Sequence, residues 1–590
     1  MSSVAIPGFH EQIESIPRPY TAFAEGREKR KWGKEGMNLQ EAHASEFQGR
    51  EAYLLRKFKG DFWFLIFFFI LPVFFFPLAG FSSAQEKPEY GGILTYAVGS
   101  TPPTLDAHRE ATFAVIHPVS PHYSFLLRFD PANYPKVEGD LAESWTVSPD
   151  HKTYTFKIRD GVKFHDGSIL TARDVKASYD KIVFPPPGMP SPRKAFYAVV
   201  DKIVDPDKLT VIFHLKRPAA SFLTSLASPW NFIYKADILA KDIHWYEKNV
   251  MGSGPFRFVE HVPGSHWVGK RNEDYFVKGR PYLDGYRAIF IQDTGARLAA
   301  IRSGRVLAEF RYFGPTQRDD IVRALGDKIK VYDNSNVSTG LIVFNSEKKP
   351  FHDPRVRRAL TLAVDRWEGG KILSRIANMR EVGGLLRPGS EFSMSEVELA
   401  QMAGYRKDIE ASRREARRLL KEAGIPEGFS FILKNRPPPK DYETRAVWLI
   451  DQWRKIGLNV TQKVDELGLH FKDLRSGNFE VISTAISDYM DEPDLQFIQF
   501  ISHDKSDSNY SRYLDRTLDQ LYEKQSQTMD PMERKKLCHQ FERRVLDEMA
   551  YVLTLPWTNR IVLMSEKVKG FYPLPSHFLN MDMRDIWVSK

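Results

Sequence analysis

At 590 residues the chain is too long for one hydrophobic core and is expected to fold as two to four domains. Its hydrophobic fraction of 42% supports a globular body, and its formal charge of +9 is spread in mixed signs without the like-charge run of a nucleic-acid tail, so no nucleic-acid partner is expected. The single cysteine, Cys538, excludes an internal disulfide and any cysteine-built zinc or iron–sulfur centre.

The first feature along the chain is the uncharged run Phe62 to Phe81, long enough to span a bilayer core of about 30 Å. Arg56, Lys57 and Lys59 precede it, Pro77 and Gly80 break its far end, and Ser82 and Ala84 supply small residues for signal cleavage before Gln85. Residues 1–61 show no apolar period and read as a disordered extension, with Met37 as an alternative translation start. Residues 62–84 are thus a signal peptide or, alternatively, an uncleaved membrane anchor at 62–81. Either reading puts the rest outside the cytoplasm, and a periplasmic location is expected.

Ile93 to Val98, apolar on both faces between glycines, reads as a buried strand. In "LAESWTVSPDHKTYTFKIRDGVKFHDGSILTARDVKASYDKI", Tyr154, Phe156 and Ile158 alternate with polar residues as a half-buried strand, and Asp160-Gly161 and Asp166-Gly167 turn the chain. Thr171 and Asp174 form a capping box for a helix whose stripe is Val175, Tyr179 and Ile182. Leu209, Val211, Phe213 and Leu215 make a further strand. "GSGPFRF" suits close backbone approach, and Phe256, Phe258 and Trp267 suit a hairpin. Asp353 and Pro354 open a helix, and Gly424 and Pro426 stop another. Helices and strands alternate throughout, so the class is α/β with mixed sheets.

"GGILTYAVGSTPPTLDAH", the "LAESW" block, "GSGPFRFVEHVPGSHWVGKRNEDYF", "FNSEKKPFHDPRVRRALTLAVDR" and "LLKEAGIPEGF" together resemble the family 5 extracellular solute-binding proteins, the dipeptide, oligopeptide and nickel receptors of ABC importers. The resemblance implies a class II periplasmic-binding-protein fold: two hinged lobes and a three-domain peptide-receptor architecture. It implies domain I at 90–125, 199–335 and 560–590, domain II at 126–198 and domain III at 336–559. It also implies a monomer that binds a short peptide or other small organic ligand without a cofactor and delivers it to an inner-membrane permease.

In "FEVISTAISDYMDEPDLQF" a strand ends at an acidic loop. The resemblance assigns Asp488 to the ammonium group of a peptide, with Ala485, Ile486 and Ser487 offering backbone to an added strand. Two departures from the family matter: Ala485 stands where relatives often have Trp, and Pro493 lies one residue further on, which makes Asp491 an alternative counterpart. Asp491, Glu492 and Asp494 also fit a solvated loop, with Asp491 or Asp494 capping the next helix. Thr112 and Phe113 border the cleft in relatives; Trp230, Phe232 and Tyr123 are aromatic candidates for its wall or for the core. His117 and His122 form no regular metal-binding spacing, and no metal is expected.

No G-x-S-x-G, H-E-x-x-H, phosphate loop or dinucleotide fingerprint is present. The expectation is a non-enzymatic receptor. The alternatives are an anchored solute sensor that keeps residues 62–81, or an exported hydrolase.

Overall fold

The computed structural model describes residues 87–437 and 441–590. The expectations for residues 1–61 and 62–84 lie outside the described residues. Among the described residues no helix is long and apolar enough to cross a membrane, and no group of three or more His, Cys, Asp and Glu side chains is placed to hold a metal ion.

Two long strands, Ile329–Phe344 and Val552–Ser565, organise the main sheet. They pair antiparallel from Ile329↔Ser565 to Ser335↔Asn559, then again from Thr339↔Trp557 to Val343↔Val552, with the register shifting between the two stretches. Beyond one long strand lie Val481–Ser487, Ser430–Asn435 and Asn459–Val464; beyond the other lie Ala308–Phe313, Ile93–Val98, Gly285–Phe290 and the hairpin of His266–Arg271 with Phe256–Val262. The sheet is mixed: Ile93–Val98 runs parallel to both of its neighbours, while the hairpin is antiparallel. Ile93 is exposed, so the expected burial on both faces of that strand holds only towards Ala97.

A separate four-stranded antiparallel sheet has the order Ala142–Val147, Thr153–Ile158, Thr210–Leu215, Val200–Asp207. Tyr154 lies opposite Phe213 and Phe156 opposite Val211, and the helix Ala172–Val183 packs Val175, Tyr179 and Ile182 into the same core. That burial drives the element's formation; the capping box of Thr171 and Asp174 fixes where the helix starts. The division expected at 198/199 runs through this sheet, because the two strands after residue 198 complete its apolar face.

Local punctuation elsewhere follows the sequence. Asp353 caps the helix Pro354–Leu362 by accepting from the N–H of Arg355. Gly252 and Gly254 let the backbone pass so close to His122 and Tyr123 that a Cβ would meet His122 O at 2.0 Å and Tyr123 N at 2.4 Å. Met490 and Leu495, which follow the strand Val481–Ser487, are buried in the core of the four-stranded sheet, and Tyr489 packs against the neighbouring core around Trp230 and Phe232.

Candidate functional site

Val481–Ser487 is apolar at Val481, Ile482 and Ile486, which are buried, and small or polar elsewhere. Along one side it pairs residue for residue with 338–344 of the long strand, from Ser338↔Ser487 to Phe344↔Val481. On the other side Ser430–Asn435 touches it only at Leu433↔Val481 and Lys434↔Ile482. The N–H of Asp488 donates to the carbonyl of Val337 at 3.1 Å. Antiparallel alternation then turns the backbone groups of Ile486 and Thr484 into the ladder and those of Ala485 and Ser487 outward. The strand therefore presents a short open edge ending at a carboxyl group.

Asp488 is partly buried as a residue, but its Oδ2 is sealed from solvent and has no hydrogen-bond partner. Burial, with Asp491 nearby, pushes its carboxyl up to about 7. A buried carboxyl without a partner favours its neutral form, and a cation placed against it reverses that preference.

The carboxylates that follow are differently placed. Asp491 is clamped by Arg387, whose Nε lies 3.0 Å from both carboxylate oxygens and whose Nη2 lies 2.7 Å from Oδ2. Its N–H donates to the hydroxyl of Tyr134 at 2.8 Å. Glu492 is buried against Arg534, and its carboxylate, rather than that of Asp491 or Asp494, caps the helix Pro493–Phe497. Asp494 accepts from the Ser221 hydroxyl at 2.5 Å and from Gln525. All three have partners within the protein.

Arg445 is the residue that the sequence reading missed. It lies on the helix Asp441–Arg454, is buried, and donates from Nη2 to the carbonyl of Thr484 at 2.8 Å and to the Ser483 hydroxyl at 3.3 Å. Its guanidinium stacks on Tyr442 at 3.7 Å from the ring centroid. A Cβ on Gly340 would meet its Nη1 at 2.9 Å, and Gly340 lies directly opposite Ala485. The small residues at 340 and 485 thus leave room on that face of the sheet for a guanidinium. Arg445 Nε has no acceptor, and among the described residues its hydrogen-bond partners are the Ser483 hydroxyl and the Thr484 carbonyl, with no carboxylate. The only sequence signal is one arginine in a helix that also carries Glu443, Asp451 and Arg454, which by itself does not point to a site.

The other candidates are dispersed. Phe232 and Tyr123 stack at 4.5 Å between centroids within the core, with no exposed surface. Thr112 caps the short helix Phe113–Val119 by accepting from Ala114 N, and Phe113 carries the Arg311 guanidinium at 4.0 Å. Trp230 is buried against Phe578, with Arg193 over its ring. His117 Nε2 lies 3.2 Å from His577 Nδ1, and burial holds the His117 imidazole down at about 3. His122 bonds the carbonyl of Phe256 at 2.8 Å and is likewise neutral. Neither histidine reaches the strand edge in any contact seen here.

Comparison with known proteins gives this geometry its setting. A family model described as bacterial extracellular solute-binding proteins, family 5, middle, matches residues 136–508. The oligopeptide-binding protein AppA of Bacillus subtilis is 26% identical over 540 residues, covering 86% of this chain and 94% of the relative. The dipeptide-binding protein of Escherichia coli is 27% identical over 503 residues, covering 78% and 89%. Among solved structures, the binding protein AgaA of A. tumefaciens in complex with agropinic acid superposes with a TM-score of 0.69 at 26% identity, over 85% of this chain and 99% of AgaA. CtaP of Listeria monocytogenes gives 0.74 at 22% identity, over 85% and 100%. With its family model spanning more than half its length and its α/β lobes matching these receptors, the chain belongs to the bacterial extracellular solute-binding proteins, family 5.

Proposed function

We propose that the protein is the periplasmic receptor of an ABC importer and that it captures short peptides by completing the edge of the strand Val481–Ser487. The observation that carries this reading is the unpartnered carboxyl of Asp488 at the end of an open strand edge. The free ammonium of a peptide pairs with Asp488 in a charge-assisted bond, and the peptide backbone bonds to the outward groups of Ser487 and Ala485. Backbone pairing carries no side-chain information, which suits a receptor for varied sequences. The peptide runs antiparallel to the strand, so its terminal carboxylate arrives near Ser483, where Arg445 supplies an uncompensated guanidinium.

The open edge sets the length of the guest. Asn435 follows the last paired position, Lys434↔Ile482, so only Ala485 to Ser487 remain clear of that neighbour. At about 3.3 Å per residue this is roughly 10 Å, room for two or three residues of added strand.

In this reading the long strands Ile329–Phe344 and Val552–Ser565 form the hinge, at the register shift after Ser335. Domain III begins at 336 and returns to domain I at 560, and domain II includes the whole four-stranded sheet. Asp491, Trp230, Thr112 and Phe113 act as walls and supports rather than as the ammonium contact. The guest leaves chemically intact to an inner-membrane permease, and the monomeric receptor is exported by cleavage near Ala84/Gln85.

The test is calorimetry with a free dipeptide and its N-acetylated form, alongside mass spectrometry of what co-purifies under native conditions. The free dipeptide binds one to one and acetylation weakens it at least tenfold; equal binding of both removes the ammonium role of Asp488.

A further inference from the structure

Besides Arg445, Arg193 is a buried cation without a carboxylate partner. Arg193, at the end of the proline-rich loop, is 2% exposed. Its Nη2 donates to the carbonyl of Ala107 at 2.7 Å, and its guanidinium lies 4.9 Å from the centroid of Trp230. Its Nε has no acceptor, and neither has the indole Nε1 of Trp230, a residue only 1% exposed. No described carboxylate is paired with Arg193. Asp106, the residue before Ala107, is already held by Lys181 and by the Tyr234 hydroxyl at 3.0 Å.

Two sealed donors and one uncompensated cation therefore lie together. Burying an unpaired ion is strongly unfavourable, and each unmatched donor adds a desolvation penalty. A trapped water can accept from the donors, but it cannot balance the charge. Only an anion does both.

The place of this pair ties it to the peptide site. Tyr489 follows Asp488 in the chain and packs against the core that contains Trp230. Both Arg193 and Asp488 act electrostatically on its hydroxyl. The unmatched cation and the unmatched carboxyl thus share one tyrosine as a neighbour.

We propose that Arg193 and the indole N–H of Trp230 form an anion subsite facing Asp488, and that the preferred ligand carries a carboxylate within one residue of its free ammonium group. This rests on the peptide-receptor reading and narrows its substrate class to peptides with an acidic first residue. Two linkages supply that chemistry: an α-linked Glu or Asp offers its side chain, whereas a γ-linked Glu offers the α-carboxylate on the carbon that bears the ammonium.

The experiment is calorimetry of Ala-Ala, Glu-Ala and γ-Glu-Ala on the unaltered mature protein, Trp230→Phe, Arg193→Gln and Asp488→Asn. At least one acidic dipeptide should bind about tenfold more tightly than Ala-Ala, the scale of one hydrogen bond to a charged group, and the better of the two identifies the linkage. That preference shrinks in Trp230→Phe, which keeps a stacking ring and removes the donor, and disappears in Arg193→Gln. If Arg193→Gln does not fold, the ratio measured on Trp230→Phe decides the matter. Equal affinity for all three dipeptides in the unaltered protein, or a ratio untouched by Trp230→Phe, overturns the anion subsite while leaving Asp488-dependent binding of Ala-Ala intact. Failure of every dipeptide to bind overturns the peptide-receptor reading along with it.

Discussion

Asp488 and Asp491 belong to one turn of chain, yet their surroundings differ in kind. Arg387 grips Asp491 with two nitrogens and Tyr134 holds its backbone, whereas Asp488 has a sealed oxygen that nothing donates to. Glu492 and Asp494 resemble Asp491, since both are bound by the protein itself. The region after the strand is therefore architecture: it ties the loop to the four-stranded sheet. The strand end is left unsatisfied. A dense acidic stretch says little about ligand contact until each carboxylate is matched to its partner.

The sharpest way to break this contrast is to remove a partner from the architectural side. Arg534→Met should destabilise the protein by roughly 3–5 kcal/mol, because it leaves Glu492 buried without its cation. Denaturant unfolding measures this, and a loss below about 1 kcal/mol would mean that these pairs do not hold the loop. Next in size is Asp488→Ala, which should weaken free-amino peptides by roughly 1.5–3 kcal/mol while leaving N-acetylated peptides almost unaffected. An unchanged affinity in calorimetry would refute the ammonium contact.

The third expectation concerns pH. The carboxyl of Asp488 is raised to about 7 in the folded protein, so folding favours its protonated form. Its contribution to stability is present below the unfolded value near 4 and is lost as pH rises towards 7. Asp488→Asn should accordingly melt higher than the parent at pH 8 and at the same temperature at pH 4. A variant that loses stability at pH 8 would show that a partner already occupies the carboxyl. Binding of free-amino peptides should strengthen from pH 5 to 7 as Asp488 ionises. The smallest expected effect is on the strand edge: Ala485→Pro removes one outward N–H and should weaken binding by about 0.5–1.5 kcal/mol. Loss of folding instead would show that this N–H belongs to the sheet.

Much of the scaffold is legible in the sequence, because its signals are local. Thr171 with Asp174, and Asp353 with Pro354, mark helix starts within a few residues, and the alternation of Tyr154, Phe156 and Ile158 marks a strand whatever it pairs with. The place of Asp488 at a strand end is likewise readable. Its lack of a partner is not, since that depends on where Arg387 and Arg534 send their guanidiniums from distant parts of the chain. Arg445 escapes notice for the same reason: the space it fills depends on Gly340 lying opposite Ala485, a register fixed only by folding. The reach of the four-stranded sheet past residue 198 is a matter of strand pairing, which composition does not encode.

The brevity of the vacant edge beside Ala485 also bears on unwanted pairing between copies of the chain. A long bare strand invites another copy to add itself and seed aggregates. Here Ser430–Asn435 blocks one end and the strand stops at Ser487 at the other, so a second copy of the chain gains too few bonds there to stay.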